Sequence, residues 1–398
     1  MRKHDFAAHH PLLTALALSM GAAVSLGLTR FSYALLLPPM RADLGWSYLL
    51  AGAMNTANAF GYFVGALTTP MLMRRFGAQA ALIGGALLAS VFMALSGFVT
   101  NADMLLLQRV LAGVASAFIF IAGGVLAARL AALHAGRAGF LIGLYYGGTG
   151  FGISLSALMV PAVLSVAETR GAAHAWQWAW LALGAVCLLL SIVMAGPVRH
   201  IEGKATAGGG RSHFRIRSFA FGLAGYFMFG VGYIGYMTFV IALLKEQGMH
   251  APAITAFYAL LGLAVVASSR IWARMLDHFK GGQSLAILNA LLGVATLLPV
   301  ITAAPLAVFV SGMLFGGVFL SAVASTTAMV RHNLPSEAWS SGISGFTTVF
   351  AFGQIAGPTV VGWISDTAGG LQRGLVFSAM ALFVGALLAT RQRALPRG

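Results

Sequence analysis

The chain has 398 residues, of which 59% are hydrophobic and only 8% charged, with a formal net charge of +15. Soluble globular proteins carry about 25% charged residues, so the composition excludes a soluble enzyme or binding module and points to an all-α membrane protein. The basic surplus is confined largely to loops on one side of the membrane pattern, which argues against a nucleic-acid partner.

Apolar runs of about 20 residues match the hydrocarbon thickness of a bilayer. Twelve such runs are present, near 12–37, 47–69, 79–99, 104–128, 139–161, 174–195, 218–243, 253–272, 283–302, 306–329, 341–364 and 371–390. The first follows a short basic N-terminal segment that superficially resembles a signal peptide. It is too long for one and contains Arg30, so it reads as an uncleaved span. With both termini cytoplasmic, 18 of the 24 Lys and Arg residues lie on the cytoplasmic face, while Arg41, Arg170, Lys245 and Arg373 lie on the other. That asymmetry is the positive-inside pattern. The remaining two cations, Arg30 and Arg109, fall inside spans.

Counting 1.5 Å per residue from the span centres puts Arg30 roughly 9 Å and Arg109 roughly 10 Å outside the midplane, at one level. An arginine within a spanning helix is costly and usually faces a protein-lined or watery interior. Two of them with no embedded acid suggest a site for an anion, because a guanidinium presents a fork of donors suited to a carboxylate or phosphate. Packing against helix carbonyls, or snorkelling to the interface, would also account for either residue.

Further polar candidates accompany them. Tyr33 sits one turn from Arg30. Span two places Asn55, Asn58 and Tyr62 on one face; helix-to-helix hydrogen bonding is the preferred explanation for Asn58 and stands open beside a substrate contact for Asn55. Span five carries Tyr145 and Thr149 and a glycine series at Gly139, Gly143 and Gly147. The only cysteine, Cys187, lies in span six, so no intrachain disulfide or cysteine metal cluster is possible. Residues 199–217, RHIEGKATAGGGRSHFRIR, read as a flexible cytoplasmic linker. They separate an N-terminal half, 1–198, from a C-terminal half, 218–398. Span seven holds Tyr226, Tyr233 and Tyr236 on one face. Its Gly230–Gly235 stretch satisfies G-x-G-x-x-G but follows no strand, so it is no dinucleotide fingerprint. Gln354 lies near the middle of span eleven.

The halves repeat weakly at an offset of about 203 residues, a plan used by secondary transporters. The loop MRRFGAQ after span two corresponds to LDHFKGGQ after span eight. Twelve spans, the central basic loop and these paired loops resemble the major facilitator superfamily across the whole chain. The block LTRFSYALLLPPMRADLGWSYLLAGAMNTANAFGYFVGAL, from Leu28 to Leu67, is similar to its YbfB/YjiJ-type branch. The resemblance implies two pseudo-symmetric six-helix halves, a cavity beside spans one, four, seven and ten, and gating by the loop motifs through Arg75, Gly77 and Asp277. This sequence departs from the loop pattern at Pro70, Arg74, Ala273 and Lys280. Arg109-Val-Leu-Ala-Gly113 matches the family pattern R-x-x-x-G.

The expected function is therefore a secondary active transporter of a small organic anion, most simply a carboxylate, in a bacterial cytoplasmic (inner) membrane. Arg30 and Arg109 would neutralise the anion, with Tyr33, Asn55, Tyr145, Tyr233, Tyr236 and Gln354 as further substrate contacts. Protons are the candidate coupling ion, carried by the substrate carboxyl or by Asp43, and the chain is expected to be monomeric. An exporter of neutral or amphipathic compounds, with the arginines in gating, is the alternative within transport; a non-transporting sensor is another. The sequence holds no Walker lysine motif, no H-E-x-x-H and no G-x-S-x-G, so neither an enzyme nor a cofactor or metal site is expected.

Overall fold

A computed structural model describes residues 9–134, 137–199, 201, 215–335 and 338–395. Most of the expected linker, 199–217, lies outside them. Apolar runs in hydrocarbon must satisfy their backbone internally, which selects helices, and the described residues contain helices and no strand.

The elements in order are α1 (Pro11–Ala22), a π-helix (Ala23–Phe31), α2 (Tyr33–Leu44), α3 (Tyr48–Phe76), α4 (Ala78–Leu95), α5 (Ala102–Leu133), α6 (Ala138–Thr169) and α7 (Ala175–Val198). After them come α8 (Ala220–Glu246), α9 (Ala251–Ile271), the short α10 (Ala273–His278), α11 (Gln283–Ile301), α12 (Pro305–Asn333), α13 (Trp339–Ser365) and α14 (Gly370–Thr390). Among the described residues, ten helical stretches are long and apolar enough to cross a membrane; the first runs from Pro11 to Leu44 through the π-helix. The helices α3 and α13 stand where the second and eleventh spans are expected and are not among the ten. Gly45 ends α2 in the left-handed region at φ 64°, the conformation a helix C-terminus most often assigns to glycine.

The chain clusters into two compact units. One comprises the described residues of Met1–Trp46, Ala57–Ala205 and His250–Val266; the other comprises those of Ser47–Thr56, Thr206–Met249 and Ala267–Gly398. The beginning of α3 and most of α9 thus group with helices of the opposite sequence half.

In the first unit, small residues set the helix spacing. A Cβ on Gly61 of α3 would run into the Val110 carbonyl of α5, and one on Gly113 would run into the Asn58 carbonyl. The close approaches of α6 fall on Gly148, Gly150 and Gly152, against Ser19, Gly262 and Ala23, whereas the Cβ position of Gly139 is open. In the second unit α8 is the central helix, packed on α13 and α14. Gly230 meets α13 and Gly232 meets α14, so the glycines of that G-x-G-x-x-G stretch serve helix contact within an unbroken α8. The N-terminus of α3 is capped by Asp366, whose two carboxylate oxygens accept the Tyr48 and Leu49 N–H groups at 2.7 and 2.8 Å. The Tyr48 hydroxyl donates to Glu246.

The glycine contacts carry a direct expectation. Gly61→Ala should destabilise the purified protein by roughly 1–3 kcal/mol through overpacking, read as a lowered Tm in detergent. Gly84→Ala, where a Cβ meets nothing within 4 Å, should leave Tm unchanged or raise it slightly through helix propensity. Equal effects at both positions would refute the close-packing account.

Candidate anion-binding site

The centre of the first span is a π-helix of nine residues, all buried. The i→i−5 pattern shows in the Ser32 N–H to Gly27 carbonyl bond at 3.2 Å and in the Thr29 hydroxyl donating to the Val24 carbonyl at 2.6 Å. Turns of this kind recur at functional sites and widen the helix locally. Neighbouring helices clamp this one closely. Ser25 Oγ donates to the Ser116 carbonyl at 2.8 Å and Ser116 Oγ returns a bond to the Ser25 carbonyl. Gly27 approaches α6 so closely that a Cβ there would lie 2.6 Å from Gly152 Cα.

Both arginines belong to this unit. Arg109 Nη1 donates to the Thr29 carbonyl at 2.7 Å, and its Cζ lies over the rings of Tyr33 at 5.3 Å and Trp180 at 5.5 Å. Arg30 is the next residue after Thr29, and the two guanidinium groups are near enough for their charges to interact. Each is 2% exposed. Arg30 Nε and Nη2 are buried with no hydrogen-bond partner among the described residues; its Cζ lies 5.9 Å from the Phe31 ring centre. No Asp or Glu is buried among the described residues, so no interior carboxylate stands there to neutralise either cation.

The other expected contacts of this unit are engaged within the protein. Tyr33 is buried against Arg109 rather than left open beside Arg30. Tyr145 donates its hydroxyl to the Phe120 carbonyl at 2.7 Å and packs against Phe120 and Tyr146. Asn58 donates to the Arg109 carbonyl at 3.2 Å, the helix-to-helix role weighed for it from sequence. Thr149 Oγ1, on the helix that packs against Gly27, is buried with no partner among the described residues.

The second unit holds the remaining candidates. Tyr233 donates to Gln354 Oε1 at 2.9 Å, bringing two of them together. Tyr233 also stacks between Phe229 and Phe319, with centroids 4.8 and 6.1 Å away. Tyr236 shares a 2.7 Å bond with Ser311 and stacks on Phe315 at 4.0 Å. Asn55 donates to Thr238 Oγ1 at 2.8 Å. Of the gating candidates, Arg75 is exposed with its guanidinium over Phe76, Gly77 turns the chain between α3 and α4 at φ 85°, and Asp277 is exposed on α10.

Sequence reading missed Thr29, Trp180 and Tyr258. Tyr258 donates to the Phe31 carbonyl at 2.7 Å, so a second carbonyl at the end of the π-helix is met by a side chain of another helix. The available signal was the hydroxyl series Ser25, Thr29 and Ser32, at i, i+4 and i+7 of one span. Among the described residues no group of three or more His, Cys, Asp or Glu could hold a metal.

A polytopic helical protein with buried cations fits a solute transporter, and comparison with known proteins agrees. The chain belongs to the major facilitator transporters, in the family described as "Uncharacterised MFS-type transporter YbfB", whose model matches residues 22–390. It is 24% identical over 387 residues to a protein of Agrobacterium vitis named "Putative tartrate transporter", covering 88% of this chain and 83% of that one. A second of that name and organism is 23% identical over 376 residues, with 88% and 86% covered. Among solved structures, a bacterial homologue of the human lysosomal transporter Spinster, inward-facing and unoccupied, superposes with a TM-score of 0.71 at 14% identity, over 96% of both chains. The nucleoside transporter NupG gives 0.67 at 14% identity, over 98% of both chains. The chain is thus a multi-pass membrane transporter and not an enzyme.

The Tyr233–Gln354 pair is testable alone. A cycle of Tyr233→Phe, Gln354→Leu and the double variant should return a coupling near roughly 0.6 kcal/mol, typical of hydrogen bonds between membrane helices. A coupling indistinguishable from zero would show that the contact contributes no stability.

Proposed function

We propose that the chain is a secondary active transporter that moves a small organic anion, of the carboxylate class, by alternating access. The observation that carries the reading is Arg30: a guanidinium 2% exposed, two of its nitrogens unpartnered, in a protein whose described residues bury no acid. A buried charge held in this way is costly unless a counter-charge arrives, and a carboxylate suits the planar fork. The relatives named "Putative tartrate transporter" support that ligand class.

In this reading α3 and α13 complete twelve spans in two six-helix halves joined by residues 199–217. Both termini face the cytoplasm of a bacterium, in its inner membrane, and the chain works as a monomer. Arg109, Tyr33, Asn55, Tyr145, Tyr233, Tyr236 and Gln354 shape and support the path, and Arg75, Gly77 and Asp277 act in gating. Protons couple through the substrate carboxyl or through Asp43, which accepts from Trp176 Nε1 at 2.5 Å and pairs with His174 at 2.6 Å. The aromatic rings of the second unit stack on one another, so they give the neutral-solute alternative no specific support.

The test is uptake of labelled tartrate into proteoliposomes under an imposed pH gradient. Wild type should accumulate it, and Arg30→Ala or Arg109→Ala should reduce the rate at least about tenfold, as expected for loss of a charge-assisted bond, with the protein still reconstituted. Unchanged rates in both variants would sink the anion reading.

A further inference from the structure

The two buried arginines are held in different ways, and the difference bears on how many charges the site offers. Arg109 is held by the protein through Nη1, which donates to the Thr29 carbonyl, and through its contacts with the Tyr33 and Trp180 rings, while its Nε is buried with no hydrogen bond among the described residues. Its own carbonyl accepts from Asn58. Aromatic faces and a backbone carbonyl offset the burial of a cation without any carboxylate. Arg30, one residue beyond the carbonyl that Arg109 grips, has Nε and Nη2 buried and unmatched among the described residues.

The π-helix links the two. A wide turn rotates the chain less per residue than an α-helix, so it sets the direction in which Arg30 leaves the helix. Ser25 and Ser116 lock the start of that segment, Gly27 packs against Gly152, and Arg109 and Tyr258 meet the carbonyls at its end. Without Arg109, the Thr29 carbonyl would lose that donor in a low-dielectric interior, and an α-helical turn would recover a partner at the cost of re-aiming Arg30.

We infer that Arg30 alone receives the anion and that Arg109 is a positioning residue, bracing the π-helix through the Thr29 carbonyl and supplying no second anion contact. This deepens the anion reading and rests on it. It also narrows the substrate class: the site neutralises one carboxylate, and a second carboxylate on the ligand gains nothing from Arg109.

The experiment measures binding of glycerate, with one carboxylate, and tartrate, with two, to the purified full chain by calorimetry. Arg30→Gln should weaken both by about 100-fold, and Arg109→Met, which lacks a donor, by about 10- to 100-fold. Arg109→Gln keeps an amide to donate to Thr29 and should stay within about tenfold of wild type for both. The tartrate-to-glycerate ratio should be the same in all Arg109 variants. A selective loss of tartrate in Arg109→Gln of about tenfold or more would overturn the proposal by showing a second charge contact. That comparison also decides the matter if Arg109→Met does not fold.

A ligand-free arm separates this proposal from the anion reading itself. Amide hydrogen exchange over residues 23–36 should quicken in Arg109→Met and remain at the wild-type rate in Arg109→Gln and Arg30→Gln. Unchanged exchange in Arg109→Met overturns the brace. Wild type that binds neither acid, with exchange following the expected pattern, overturns the anion reading and its single-carboxylate corollary while upholding the brace.

Discussion

Within a bilayer there is no water to meet a backbone carbonyl, and each one left unmatched costs several kcal/mol. The first span tests that rule over nine residues of π-helix. At its end the Thr29 and Phe31 carbonyls are met by Arg109 and Tyr258, side chains from two other helices. The hydroxyls of Ser25 and Ser116 close the other end. The packing of α5, α6 and α9 around this segment is organised by the need to supply donors and to come close enough to do so, which explains glycine at positions 27 and 152.

The second unit handles its polar groups in another way. Tyr233 with Gln354, Tyr236 with Ser311 and Asn55 with Thr238 pair side chain to side chain, and the aromatic rings stack among themselves. No cation is buried in that unit among its described residues. Buried charge that could act on a solute is therefore concentrated in the first unit, while the interior of the second is neutral and well packed.

How much of this could be read from residue order differs by feature. Helix positions were legible because each depends only on a local apolar run. That the segments of Arg30 and Arg109 meet was suggested by counting residues from the span centres, and the Arg109–Thr29 bond joins the two segments. The facing of Arg30 was not legible, since helical-wheel reasoning assumes about 3.6 residues per turn and the π-helix breaks that assumption. Nor could it be seen that Tyr33 and Tyr145 would turn to internal partners, because a tyrosine facing a guanidinium or a carbonyl has the same spacing as one facing a solute. The association of 47–56 and 250–266 with the opposite sequence half was equally hidden. It rests on contacts far apart in the chain, such as the cap that Asp366 places on α3.

The π-helix also changes how this chain is to be aligned with others. Positions before Ala23 and after Phe31 do not share a single helical wheel, so pairing them one-for-one with an uninterrupted span misassigns faces on one side of the segment. Gain or loss of one residue inside it would act as a rotation rather than a change of length. Evolution could then turn the same arginine toward or away from a ligand by insertion and deletion, with no change in the identity of any residue.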